Sequence, residues 1–421
     1  MLYSDDRALL TPAQQTAYDQ ALAKCAGGFE EIRSWYEDGS LPLLRLPEAR
    51  EDLAEVADFA AQVRDGFDDF IVLGTGGSNL GAKTLFALNH MGLNQASQGI
   101  RCHFFDNVDP ATFQALMGAL DPKRTFVFSV SKSGTTAETL SQTVLLIDWL
   151  QKSGCDLSKH LAVLTEPKPS PLMAISERFG CQAFPHDPLV GGRFSVLSIV
   201  GLIPALVAGI DAVQVRQGAW SILKPVLDGV SPEQVLAAKG AALATVHAGE
   251  GRNQTVLLPY ADQLADLGLW YRQLWAESIG KDGKGTTPIR AMGTVDQHSQ
   301  LQLYLDGPGD KLFTFIEVAQ QGVLPALNAD LLDEKLSYLN GKSLGDLLVA
   351  ECRASADTLA SKGHPVRMIQ LEEVSAFTMG QLMMHFMLET ILTAHLWGID
   401  AFDQPAVEAI KIRTREVLAG Q

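Results

Sequence analysis

Two successive series of short apolar runs, each run separated from the next by a longer helical pattern, constrain this 421-residue chain more than any other feature. In the first series DFIVLGTGG, RCHFFDNV, TFVFSVSKS and LAVLTEP follow one another from about Phe70. Strands that are apolar throughout are those buried on both faces, and the helices between them supply the crossovers that parallel pairing needs. A second series begins near Thr255 with TVLLPYAD, continues with KLFTFIEV and VRMIQLEEVS, and leads into a long apolar helix from about Phe377 to Trp397. The pattern predicts an α/β chain with two domains, each a mainly parallel sheet flanked by helices.

On this reading residues 1–50 form an N-terminal helical segment, 51–210 the first domain, 211–250 a helical linker, 251–400 the second domain and 401–421 a C-terminal segment. The apolar stretch from Phe194 to Val213 is interrupted by Gly201, Pro204, Gly209 and Asp211, so it is read as a buried helix and not a membrane span. With 47% hydrophobic and 19% charged residues, the chain is not of disordered composition. Its 49 acidic side chains against 33 basic ones give a charge of −16, which argues against a nucleic-acid partner. An anionic substrate would have to be captured by local chemistry that overcomes this field. Cys25, Cys102, Cys155, Cys181 and Cys352 are scattered without a CxxC spacing, and the leading MLYSDDRALLTPAQQ carries no secretory pattern. Both features predict reduced thiols and a cytoplasmic chain.

Five segments carry the candidate chemistry. LGTGGSNLGAKT leaves a strand at Leu73 and enters a helix near Leu80, so its glycines let backbone amides approach an anion. Asn79 breaks a dinucleotide fingerprint and Ala82 breaks a nucleotide P-loop, and a tight turn without ligand stays open. SVSKSGTTAET follows the strand TFVFSV and offers Ser129, Ser131, Ser133, Thr135 and Thr136 with Lys132 among them, a hydroxyl cradle for phosphate or else a cluster of helix caps. GGRFS sets Arg193 at the start of the buried helix, where it would meet an anion or a surface carboxylate.

In QLWAESIGKDGKG, Gln273 and Glu277 share one face of a helix ending near Gly280. Taken alone this is an ordinary amphipathic helix boundary, although a carboxylate beside Trp275 and Ile279 would lie in a desolvating setting suited to a general base. The fifth segment, MGTVDQHSQLQLYLDGPGDK, places His298 ahead of the alternating stretch LQLYL, among Asp296, Gln297, Ser299 and Gln300, polar neighbours able to fix a tautomer. His385 and Glu389 stand four apart on one helix without a third ligand, and no metal site is expected.

Taken in order, GTGGSNLG, SKSGTTAET, GGRFS, QLWAESIGKDGKG, DQHSQLQLYLDGP and FDQPAVEAIK resemble the phosphoglucose isomerases, which are built from two sugar isomerase (SIS) domains. The resemblance covers residues from about 50 to 415. It implies reversible interconversion of glucose 6-phosphate and fructose 6-phosphate without metal or organic cofactor. It also implies that Ser131, Lys132, Ser133 and Thr136 cradle the phosphate, with Gly77 and Ser78 closing the site. Glu277 matches the base that moves a proton between C2 and C1, Gln273 and Gln404 match substrate-binding positions, and Arg193 matches the cation beside the enediolate. His298 matches the ring-opening residue, Lys411 its partner and Glu138 an orienting group. In this family the histidine comes from the neighbouring subunit, which implies a homodimer. Ile410 and Ala406 stand where many members carry glycine, and the chain lacks the extensions of the longer members. Two other readings are an isomerase that also takes mannose 6-phosphate, which Gln273 disfavours, and a non-catalytic SIS sensor of sugar phosphates, which would need neither Glu277 nor His298.

Overall fold

The computed structural model describes residues 1–8, 10–90, 99–328 and 333–420. The chain opens with β1 (Leu2–Ser4) and α1 (Pro12–Asp38), the latter started by a capping box at Thr11 and Gln14 and stopped by Gly39 in the left-handed conformation. The first sheet follows, with β2 (Asp69–Leu73), β3 (Arg101–Phe105), β4 (Thr125–Val130), β5 (Leu161–Thr165) and β6 (Gln182–Pro185). Around it lie α2 (Glu51–Gly66), α3 (Leu80–His90), α4 (Pro110–Ala119), α5 (Ala137–Lys152), α6 (Leu157–His160), α7 (Pro171–Phe179) and α8 (Ile199–Val207). The strand order is β3-β2-β4-β5-β6, parallel throughout, with Phe70 opposite both Cys102 and Phe126. Every residue of β2, β4 and β5 is buried, as their unbroken apolar runs require.

The apolar stretch after Phe194 does not form one helix. Arg193 and Phe194 lie in a 3-10 turn (Gly192–Leu197), Ser198 caps α8, and Gly209 to Asp211 separate α8 from α9 (Ala212–Leu227). Next come α10 (Leu236–Gly249), β7 (Gln254–Pro259), α11 (Leu267–Ile279), β8 (Thr287–Arg290), α12 (Leu301–Asp306), β9 (Lys311–Val318), α13 (Leu344–Ser361), β10 (Val366–Leu371), α14 (Ala376–Trp397) and α15 (Glu408–Leu418). The second sheet has the order β1-β10-β9-β7-β8 and is parallel except where β1 pairs antiparallel to β10.

One hydrophobic core runs from Phe70 and Phe128 of the first sheet, through α8, α9, α10 and α14, to Leu257 and Ile316 of the second. Close helix approach makes this possible. A Cβ at Gly218 of α9 would lie 1.8 Å from the carbonyl oxygen of Phe377, and one at Gly380 of α14 would lie 1.9 Å from that of Val215, so only glycine lets the two backbones touch. Among the described residues no helix is long and apolar enough to cross a membrane.

Candidate active site

Parallel strands release their loops at one edge of the sheet, and this is where open α/β sheets bind ligands. The loop after β4 turns tightly through Gly134, whose N–H donates to Ser131 O at 3.0 Å, and delivers Thr136 to the N-cap of α5. Thr136 caps no amide of that helix. Its hydroxyl lies 2.9 Å from that of Ser131, and Ser133 Oγ lies 2.9 Å from Thr135 Oγ1. The loop thus gathers four hydroxyls at a helix start whose amides receive no side-chain cap, an arrangement suited to a phosphate group.

Lys132, in the same loop, turns its ammonium to the carbonyls of the 188–190 segment. Its Nζ donates to Pro188 O at 2.7 Å and Val190 O at 3.1 Å, strapping the loop that leads into Gly191. Burial lowers its pKa, with Glu166 and Asp187 opposing.

The glycine loop after β2 meets the GGRFS turn backbone to backbone. A Cβ at Gly77 would lie 2.1 Å from both the carbonyl carbon and oxygen of Gly192, and Ser195 Oγ donates to Gly192 O at 2.7 Å and Gly77 O at 3.3 Å. Ser78 follows in the same partly buried turn. Arg193, 3% exposed, leaves this junction with its guanidinium fully engaged. Nε donates to Ser278 Oγ at 2.8 Å, NH2 to Ala401 O at 2.6 Å and Asp403 O at 2.9 Å, and NH1 to Gln404 Oε1 at 2.5 Å. Burial lowers its pKa, and the carboxylates of Glu277, Asp403 and Asp400 pull the other way.

Helix α11 supplies the carboxylate. Leu274, Trp275, Ser278 and Ile279 are buried, which turns Gln273 and Glu277 to the opposite, partly open side. Gln273 Nε2 donates to Glu277 Oε1 at 3.1 Å, and Glu277 Oε2 lies 3.5 Å from Arg193 NH1. The apolar setting expected for Glu277 is therefore corrected: its side chain is 31% exposed and faces a cation. The indole and isoleucine of the same turn point into the core. A Cβ at Gly76 would lie 2.7 Å from Gln273 Nε2, so the glycine loop, the arginine turn and the glutamate helix converge. Beside them opens a cleft of about 550 Å³ lined by Glu277, Lys281, Asp400, Asp403 and Gln404 among others.

Three further candidates lie at exposed positions. Glu138 is exposed in the first turn of α5, His298 is exposed after a 3-10 turn, and Lys411 is exposed on α15. Among the described residues no side-chain bond joins His298 to Glu277, Arg193 or Glu138. The polar neighbours expected to fix its tautomer are otherwise engaged: Asp296 accepts from Ser299 Oγ and Met292 N, Gln297 donates to Glu351 O, and Gln300 accepts from Tyr304. LQLYL, despite its alternation, forms α12, in which Tyr304 is the buried residue. Among the described residues no group of three or more His, Cys, Asp or Glu could hold a metal ion. Ser278 and Lys281 lie within QLWAESIGKDGKG and Asp403 within FDQPAVEAIK, although residue type alone gives none of them a role.

The sequence model of one family, phosphoglucose isomerase, matches residues 44–419. The chain belongs to the phosphoglucose isomerase family. Glucose-6-phosphate isomerase of Rubrobacter xylanophilus is 40% identical over 377 residues, 87% of either chain, and one from Thermus thermophilus is 40% identical over 426 residues, 96% of this chain and 98% of its own. A crystal structure of a hypothetical protein, also from Thermus thermophilus, superposes with a TM-score of 0.86 at 37% identity, covering 97% of this chain and 98% of that one. A crystal structure of a glucose-6-phosphate isomerase from Chlamydia trachomatis shares the fold, with a TM-score of 0.81 at 22% identity over 99% of this chain and 88% of its own. In this phosphoglucose isomerase family member the arginine turn, the glutamate helix and both sheet-edge loops all lie within the matched residues.

Proposed function

We propose that this chain interconverts glucose 6-phosphate and fructose 6-phosphate, the aldose–ketose step shared by glycolysis and gluconeogenesis, through ring opening and a cis-enediolate. Family membership supports the reaction, and the observation that carries the site is the Glu277 carboxylate 3.5 Å from a buried, immobilised Arg193. A carboxylate that takes the C2 proton leaves negative charge on the enediolate oxygens. A cation already fixed beside that carboxylate stabilises the charge as it develops, without reorganisation. Returning the proton to C1 while the O2 hydroxyl becomes the ketone carbonyl and O1 a hydroxyl completes the isomerisation with no redox partner.

In this reading Ser131, Ser133, Thr136, Gly77 and Ser78 hold the phosphate, and Gln273 and Gln404 flank the sugar. Lys132 supports the cradle through the 188–190 carbonyls. His298 and Lys411 serve ring opening, with Glu138 orienting the histidine, and His298 reaches the site from the second subunit of a homodimer in the cytoplasm. No cofactor or metal takes part. Purified Glu277→Gln should bind phosphate normally, keep its fold by circular dichroism and lose at least about 10³-fold in kcat in a coupled assay run with chelator present. Turnover within tenfold of wild type would overturn the base assignment.

A further inference from the structure

We infer that Lys281 and Asp403 are positioning residues for the reaction: their ion pair holds the 400–404 segment that in turn fixes Arg193 beside Glu277. The inference rests on the assignment of Arg193 and Glu277 above. All five polar contacts of the guanidinium lie outside its own loop. Three go to the carbonyls of Ala401 and Asp403 and the amide of Gln404, on a stretch that follows the end of α14 at Gly398 and contains no regular helix or strand. A stretch of that kind keeps its place only through what grips it. Apart from Arg193, the grip comes from Phe402, whose ring packs on Trp35 and Phe194, and from the turn after the glutamate helix, which supplies the polar contacts. Lys281 Nζ lies 2.5 Å from Asp403 Oδ1 and also donates to Asp400 O, while Lys284 Nζ donates to Trp397 O at 2.5 Å.

The Lys281 side chain is only 10% exposed whereas that of Asp403 is 53% exposed, so the lysine is the anchored partner. Its turn is itself specified, with Asp282 and Gly283 both at positive φ. The two cations therefore grip one strap at different atoms. Arg193 reads its carbonyls from within, and Lys281 holds its carboxylate from the cleft. Loss of the outer grip lets the carbonyls drift and the guanidinium with them, and misplacement of about 1 Å at a charge-stabilising group costs on the order of 10²-fold in rate.

Lys281→Met should lower kcat about 10- to 100-fold and leave KM for hexose 6-phosphate within threefold, because the phosphate cradle lies on another loop. It should weaken an aldonate phosphate, whose planar carboxylate mimics the enediolate, by the same factor as kcat, while inorganic phosphate binds as in wild type. Lys281→Arg should recover most of the turnover, and Lys281→Met with Asp403→Asn should be no slower than the worse single variant. A kcat within twofold of wild type in Lys281→Met, or equal loss of affinity for the aldonate and for inorganic phosphate, would overturn the positioning role. If the lysine variant does not fold, Asp403→Asn, at an exposed carboxylate, carries the same test. Retained activity in Glu277→Gln would instead overturn the underlying assignment, so the two failures are distinguishable.

Discussion

At the scale of single residues, the site is decided by geometry that side-chain chemistry alone does not reveal. Arg193 and Lys132 are both cations in motif loops, yet their placements differ in kind. The planar guanidinium spreads Nε, NH1 and NH2 over Ser278, Gln404, Ala401 and Asp403, whereas the ammonium of Lys132 is spent on two carbonyls outside the cradle. A lysine at position 193 could satisfy one of those directions and would leave the others buried without a donor. Arg193→Lys should therefore fold but lose about 10²- to 10³-fold in kcat with a smaller change in KM, measured by steady-state kinetics. A loss shared equally between kcat and affinity for substrate would place the arginine in ground-state binding instead. The segments that converge were legible in the motifs, because the glycine loop, the arginine turn and the glutamate helix each carry one. Where Lys132 points was not, because a long flexible side chain goes to whichever acceptors the fold places within reach.

At the scale of elements, the sheets were legible where strands run unbroken and buried, and illegible at their edges. β1 has three residues, and β8 (TPIR) carries a proline tolerated at the end of a sheet, so neither stands out from its surroundings in the sequence. Helix α14 shows what joins an element to its sheet. Arg367 of β10 donates through NH1 and NH2 to Glu389 of α14 at 2.9 and 2.7 Å, with Nε bound to Thr314 Oγ1 at 2.7 Å, and the pair is fully buried. His385 lies 3.2 Å from the same carboxylate, which accounts for the histidine and glutamate four apart without any metal.

Burial alone would raise the pKa of Glu389, but Arg367 and then His385 outweigh it and the net shift is downward. The folded state therefore holds the proton more weakly than the unfolded chain does. The contribution is complete above the ordinary glutamate value of about 4.3 and fades as pH falls through the lower, folded value. Glu389→Gln leaves Arg367 buried without its counter-charge and should cost about 3 to 5 kcal/mol at pH 7. In urea titrations this deficit should shrink as the pH is lowered below about 4. A gap that stays constant down to pH 3 would mean that the carboxylate's charge does not matter to folding.

At the scale of the whole molecule, two sheets share one core, so the chain presents its surface as a single body, and that surface is uneven. The exposed His298 is bracketed by Val295 at 67% and Leu303 at 54% exposure, and Lys411 by Ile410 at 72% and Ile412 at 51%. If the proposed homodimer packs through these apolar side chains, a closed twofold contact could carry each histidine to the other chain's glutamate. The net charge of −16 is no obstacle, since charges more than about 10 Å apart through solvent are largely screened at physiological salt. If the site is shared, Glu277→Gln and His298→Ala disable different halves of it. A mixed dimer then has one site built from the intact glutamate of one chain and the intact histidine of the other, and a second site lacking both. Random exchange makes about half of the dimers mixed, each with one working site of two, so mixing two inactive preparations should restore about a quarter of the wild-type activity. Native mass spectrometry would establish that exchange has occurred. Activity that stays at background in a preparation shown to contain mixed dimers would mean that each chain acts with its own histidine.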